Sequence, residues 1–404
     1  MFERFLKFLT SLRLTVVLLF AGLLLVFVGT LAQVHEGLYQ AQARYFKSWV
    51  VWKPTIGDST WPILFPGGYL IGSLLLLNLL AAHAARFKFS KKKIGIVMVH
   101  AGVILLLVGQ MLSDVLARES YMQLSSAGPA KYYSESSMRN ELAVTDVTDP
   151  DSDQVIAIPE SRLKEQGEIR HPNLPFAVRV KKYSGNSLPQ LLAPMAGQTR
   201  NDVQGIGKFV EFAAQPLTAK SDARNLPAAT IEIVSGKDSL GVWEVSNWLS
   251  ETALIREMKQ QAGGALSGLL GAPQEFSLHG HTYRLAMRPV RFYNPFSIQL
   301  LHFTHALYRG TDIPKDFTSR IRLSNPQTRE DREVKIYMNN PLRYSGITFY
   351  QGSYDPNDPR VSILQVVKNP SWLTPYLACA LVALGLVVQF GTHLLGFASK
   401  WKNA

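Results

Sequence analysis

The sequence predicts a membrane protein: four transmembrane α-helices, with a large extracytoplasmic β-rich, sandwich-like domain inserted between helices 3 and 4. Three observations predict it. Four apolar runs are long enough to cross a bilayer, which takes roughly 20 helical residues. A long polar tract of short alternating and β-branched segments separates the third run from the fourth. The cationic excess sits on the membrane part and its flanks, not on that tract.

The four runs are residues 14–31, 69–85, 94–112 and 373–397. They divide the chain into an N-terminal membrane region (1–112), an outer domain (113–370) and a C-terminal membrane helix with its tail (371–404). Arg4, Lys7 and Arg13 precede the first run and give it the look of a signal peptide. The run exceeds a signal core of about 7–15 residues, and Gly29-Thr30-Leu31-Ala32 is a poor small-x-small cleavage site. A retained span is expected.

The formal net charge of +12 is unevenly spread. Residues 113–370 hold 29 Lys/Arg against 27 Asp/Glu, which leaves 13 cations and 3 anions for the rest. Five of those cations fill one loop, RFKFSKKK, at 86–93. Such a bias orients spans and is a topology signal, not a phosphate-binding patch, so nucleic acid is not an expected partner. The basic N-terminus, the loop and the tail with Lys400 and Lys402 then face the cytoplasm, and the long tract faces outward.

That tract is too long to be a structureless loop. ELAVT (141–145), FAVRV (176–180), ATIEIV (229–234), TYRLAM (282–287) and VSILQVV (361–367) read as strands. Turn signals such as SGKD (235–238) and DPNDP (355–359) separate them. Trp248, Leu249, Leu254 and Ile255 recur at helical spacing and predict one helical insertion at 246–261. The GGALSGLLG segment at 263–271 reads as a mobile loop or short interfacial piece, and the tyrosine-rich 344–354 as filling of a sandwich core.

Several chemistries lack their residues. Cys379 is the single cysteine, so there is no disulfide framework, no CxxC pair and no CxxCH haem-attachment site. No GxSxG, HExxH or P-loop occurs. His302 and His305 fall in a strand-like run, where odd spacing sends them to opposite faces and argues against a metal site. His279 and His281 flank a turn glycine and read as surface residues on one strand face.

The informative histidines lie within the spans. VMVHAGVILLL (97–107) places His100 roughly 9 Å inside the third run at about 1.5 Å per residue. His393 lies at a similar depth, roughly 10 Å before Lys400 by the same rise. His83, three residues before Arg86, reads as interfacial and within reach of water. An ionisable group at membrane depth is a functional hypothesis by default. A neutral histidine bonded to a neighbouring helix is the structural alternative, and the residues alone leave both open. Gly95, Gly102 and Gly109 recur every seven residues, a stripe that admits another helix closely. At about 100° per residue His100 lies about 160° from Gly102, so it looks outward or into a cleft while the glycines pack.

At this point the sequence resembles the ResB (CcsB) family of system II cytochrome c biogenesis. LTSLRLTVVLLFAGLLLVFVGTLAQ (9–33) is similar to the family's opening span, and KKKIGIVMVHAGVILLLVGQMLSD (91–114) to its third span with a central His-x-Gly. YRGTDIPKDFTSRIRL (308–323) and IYMNNPLRYSGITFYQGSYDP (336–356) resemble the end of its outer domain. The resemblance implies a multi-pass protein of the bacterial cytoplasmic (inner) membrane with a periplasmic domain. Its partner would be a CcsA (CcsC)-type membrane protein, and together they would pass haem b to CxxCH apocytochromes c. This chain would be a non-catalytic or co-catalytic subunit of that haem lyase. The Trp-rich motif of the partner is absent; Trp49, Trp52 and Trp61 are scattered. By the same resemblance, the transmembrane haem-ligating histidine falls on His100, with its co-ligand from the partner. His393 is a weaker second candidate for the iron, beside Gln389 on the same helical face. Two other readings stand beside this one: a structural scaffold that never touches haem, and a self-contained b-type protein pairing His100 with His393.

Overall fold

The computed structural model describes residues 2–56, 59–86, 93–192, 200–218, 224–262, 264–310 and 314–402. Four helices are long and apolar enough to cross a membrane: Leu12–Glu36, Gly68–Ala85, Ile94–Leu116 and Thr374–Ala398. Their faces are mostly uncovered by protein, as expected of helices meant for lipid or a partner. Most of the basic 86–93 loop, on which the expected orientation leans, lies outside the described residues.

The chain starts with α1 (Phe2–Leu9) and turns at Thr10 into α2 (Leu12–Glu36), whose N-cap Ser11 accepts from the Arg13 amide. Beyond α2 come α3 (Leu38–Ala41) and one π-helical turn, Gln42–Phe46. Two hairpins, β1 (Val50–Trp52) with β4 (Leu64–Pro66) and β2 (Thr55–Ile56) with β3 (Ser59–Thr60), complete this first loop. It folds back on α2: Tyr45 is fully buried against Leu25, Val28 and Ala32.

Next come α4 (Gly68–Arg86) and α5 (Ile94–Leu116). Asn78 of α4 is buried and donates to the carbonyls of Leu9 (2.5 Å) and Ser11, while accepting from Thr15 (2.7 Å). An amide in an apolar helix is costly unless bonded; here it satisfies the orphan groups of the α1–α2 turn. The C-terminal end of α5 is tied down twice. Asp114 accepts from Lys47 (2.5 Å) and Tyr69, and Ser113 bonds Ser371 (2.8 Å) and Asn369 (3.1 Å).

The β-rich part follows: β5 (Arg118–Ser125), β6 (Lys131–Asp146), β7 (Gln154–Pro159), α6 (Glu160–Lys164), β8 (Gly167–Ile169), β9 (Ala177–Ser184), β10 (Ser187–Leu191) and β11 (Val210–Ala214). It continues as β12 (Ala228–Ser235), β13 (Asp238–Ser246), α7 (Thr252–Ala262), α8 (Gly264–Leu269), β14 (Gln274–Leu278) and β15 (His281–Leu307). β16 (Pro314–Asn325), β17 (Glu330–Tyr337), β18 (Leu342–Tyr344), β19 (Ile347–Asp355) and β20 (Asp358–Lys368) lead into α9 (Thr374–Lys402). A ten-stranded sheet runs β17-β16-β15-β6-β5-β20-β19-β18, with β14 and β7 paired alongside; a four-stranded sheet runs β13-β12-β9-β8.

β15 is the spine. Pro289 cannot donate to a ladder, and Pro295 sits where register slips between Tyr293 and Ile298, so the strand bends there. Before the bend, Leu285 and Met287 join Ile231, Ile233 and Trp243 in a core shared by the two sheets, the layered packing the alternation predicts. After it, Phe296, Ile298 and Leu300 join Met122, Phe349 and Leu364 in a second core, where the large sheet closes on itself. The tyrosine-rich segment feeds that core: Phe349 is fully buried and Tyr344 packs edge-on to Phe296 at 4.9 Å.

Two local expectations need correction. The 263–271 segment, read as a mobile loop or interfacial piece, contains α8 over Gly264–Leu269, and Leu270 is buried beside Trp248 and Met258 (Gly263 lies outside the described residues). An apolar residue with a core to enter orders the turn that carries it. His279 and His281 do not share a strand face, because His279 and Gly280 form the two-residue hairpin turn, both at positive φ (52° and 82°). Both remain on the surface, with His281 bonded to Asp146 at 2.7 Å.

The glycine stripe packs as its period suggests. Gly95, Gly102 and Gly109 are buried against α9. A Cβ on Gly102 would lie 2.5 Å from a Val382 methyl and 2.9 Å from the Ala378 carbonyl; one on Gly95 would lie 2.7 Å from the Gly385 carbonyl. Gly72 of α4 has open space. Gly102→Leu is therefore expected to cost about 1–3 kcal/mol through overpacking. Gly72→Ala is expected to be tolerated. Thermal midpoints of the purified chain in detergent check both.

Candidate functional site

The rotation of α5 about its axis is set by its glycines, and this decides where His100 points. With the stripe against α9, the opposite side of α5 meets α4, and His100 faces His83 there. The two rings stand edge to face at 89°, centroids 4.6 Å apart, with His100 Nδ1 3.0 Å from His83 Nε2. His83 Nδ1 lies 3.0 Å from the carbonyl of Leu79, one turn back on its own helix.

These contacts assign the protons. A carbonyl only accepts, so His83 carries its proton on Nδ1 and donates it to Leu79. Its Nε2 is then an acceptor, and His100 donates from Nδ1. With both rings neutral, as the cost of an uncompensated charge between apolar helices requires, the His100 Nε2 lone pair is left unprotonated. Among the described residues His83 is the hydrogen-bond partner of His100, which is half-buried. A neutral imidazole held through Nδ1–H, with Nε2 presented, is the arrangement a metal-ligating histidine uses; the bonded acceptor fixes its tautomer and raises its basicity.

The pairing corrects one expectation and extends another. His83 is not merely an interfacial ring satisfied by water; it is the group that orients His100. The sequence held the signal. α4 and α5 run antiparallel across a short connection, so residues a few positions either side of it meet, and His83 and His100 are such a pair. On that side of α5, His100 meets α4 through His83.

His393 sits elsewhere. It is exposed near the end of α9, and the Gln389 amide donates to its Nε2 at 2.8 Å, the i,i+4 pairing its sequence suggests. No hydrogen bond or ring contact joins it to His100 among the described residues. His302 and His305 occupy β15. His305 stacks on Tyr354 (4.7 Å) on the face that carries Phe303, with His302 an odd number of residues away. Among the described residues no cluster of three or more His, Cys, Asp or Glu could hold a bare metal ion.

A family model matches part of the β-rich domain. Residues 281–363 match the ResB-like family. The match begins at the first residue of β15 and ends within β20, taking in both downstream stretches that carry the resemblance. Protein NrfI of Wolinella succinogenes is 38% identical over 103 residues, which are 26% of this chain and 11% of that protein. The resemblance to ResB/CcsB is borne out. The stretch matched to the family model supplies most of the second core and, through Tyr283, Leu285 and Met287, part of the first; it does not include the helices that carry His83 and His100.

The tautomers can be measured. Nitrogen-15 NMR of histidine-labelled protein in lipid is expected to show both rings neutral and protonated at Nδ1. An Nε2–H signal from His100 would contradict the assignment.

Proposed function

We propose that the chain is a component of a system II cytochrome c synthetase, in which His100 holds haem on its way to apocytochrome c. The observation that carries this is the His83–His100 pair: an imidazole at membrane depth, oriented through Nδ1, with Nε2 available for iron. The ResB-like match supports a place in cytochrome c biogenesis. On this reading the chain spans the bacterial inner membrane four times, with its β-rich domain in the periplasm. A CcsA-type membrane protein supplies the second axial histidine and the attachment site for CxxCH cysteines. Haem b is cargo rather than a resident group, and this chain is a non-catalytic or co-catalytic subunit.

Each residue has a task. His100 would take an axial position on the iron through Nε2. His83 is a positioning residue: by accepting the Nδ1–H it fixes the ring plane and makes His100 a stronger donor. The apolar flanks of α4 and α5 suit the porphyrin body and keep water away. His393 has its Nε2 engaged by Gln389, and any ligand role for it requires that bond to break.

The His83–His100 bond also favours a second reading, the scaffold, because such a bond clamps two helices whether or not iron is present. His100→Gln separates the two. Its amide can still donate to His83, yet it is no haem ligand. In the complex co-purified with the neighbouring membrane protein, His100→Gln is expected to lose the haem Soret band and to regain it when imidazole is added. Full haem absorbance and normal cytochrome maturation in that variant would support the scaffold instead. His83→Ala is expected to weaken haem retention about 10–100-fold, as loss of a ligand's outer partner does.

A further inference from the structure

We infer that the cleft between the outer end of α5 and the β-rich domain binds an amphipathic anion, its acid group held by Arg118 and Arg139. The cleft encloses about 1640 Å³, above the common 300–1,000 Å³ of small-molecule sites. It is bounded below by the first loop and the last turns of α5, and above by β5, β6 and α6.

The charges lining it sort into two groups. Lys47 is paired with Asp114, Lys164 with Glu160 (2.9 Å), and Arg224 with Glu251 through two bonds of 2.8 and 2.9 Å. Arg118 and Arg139 have no carboxylate within ion-pair distance among the described residues. Both guanidinium groups instead lie over the ring of Phe292, at 3.9 and 5.5 Å from its centroid. Glu119 also borders the cleft but is exposed and reaches neither arginine. Burial, and then the neighbouring Arg139, push the Arg118 guanidinium down from its usual value, so the two cations repel with no anion between them.

Arg118 is half-buried and Arg139 exposed, and two like charges brought to one ring with no acid partner among the described residues make a site that attracts an anion. Guanidinium pairs recognise phosphate and carboxylate by bidentate bonds. The rest of the lining says what is attached to that acid. Val115 is 75% exposed and Leu217 71%, and Leu116 and Met138 are exposed beside them. Arg118 follows α5 by two residues, so cationic and apolar surfaces meet where that helix would leave the bilayer. An apolar body with one acidic head fits such a wall. Two sources share that chemistry: an anionic phospholipid of the outer leaflet, and a membrane-soluble carboxylate such as a porphyrin acid.

This inference does not rest on iron ligation, and its test avoids iron. The full chain in detergent is titrated with phosphatidylglycerol and, separately, phosphatidylcholine, with retained lipid read by native mass spectrometry. A second arm follows iron-free mesoporphyrin and its dimethyl ester by fluorescence. Retention of phosphatidylglycerol, mesoporphyrin or both is expected to exceed that of the uncharged-head or ester counterpart at least tenfold. The arm that responds names the source. Arg118→Gln/Arg139→Gln is expected to abolish the preference, and Arg322→Gln, on the distant β16–β17 pair, to keep it. A folded double variant that retains the preference overturns the proposal. So does a wild-type protein that prefers neither acid, and this reading stands even if the double variant fails to fold.

Discussion

The arrangement turns on one constraint: α5 cannot choose its own rotation. Its glycines approach the α9 backbone so closely that a single added carbon at any of them would collide with it or with a side chain. A helix locked along one stripe presents a fixed opposite side, and on this helix that side carries the only histidine it has. α4 therefore meets His100, and the pairing with His83 follows from packing rather than from attraction between two imidazoles. The bond then adds what packing cannot supply: a defined tautomer and a defined ring plane. Asn78 performs a comparable service on α4, anchoring it to the α1–α2 turn so that His83 is itself held in place.

The β-rich domain is coupled to this bundle through the junction of α5 and α9. The Ser113–Ser371 bond joins the end of α5 to the start of α9, so the chain leaves and re-enters the membrane region at one place. Arg343, in β18, lies over Trp372 at 4.5 Å and presses the domain onto that junction. β15 then carries rigidity across the domain, since both hydrophobic cores are built on it. The cleft beside Arg118 lies between that domain and the C-terminal end of α5.

Family likeness and chemistry occupy different parts of this protein. The segment matched to the ResB-like family model lies in the β-rich domain, whereas the histidine pair lies between α4 and α5, and α5 carries the His-x-Gly stretch that resembles the family's third span. Apolar spans tolerate many substitutions that keep them apolar, so they lose recognisable sequence sooner than a sheet does. A sheet's residues must satisfy alternation, turns and two cores at once. The joining of the two rests on the geometry of one chain, in which the matched strands return through β20 and α9 to clasp the helix that carries His100.

The membrane-length helices, the large β-rich insertion, the contact stripe of α5 and the i,i+4 pairing of His393 with Gln389 were all legible in the order of residues. Each of these is a local or periodic property: a run length, an alternation, a seven-residue repeat, one turn of helix. That His83 belongs beside His100 emerges from the packed fold, because the meeting of two rings depends on the tilt and rotation of two separate helices. The fold also ordered the glycine-rich 264–269 stretch, for which Leu270 found a core that composition could not foretell. And it brought Arg118 and Arg139 to one ring without an acid partner among the described residues, since the pairing of charges far apart in the chain is settled by the fold and not by their number.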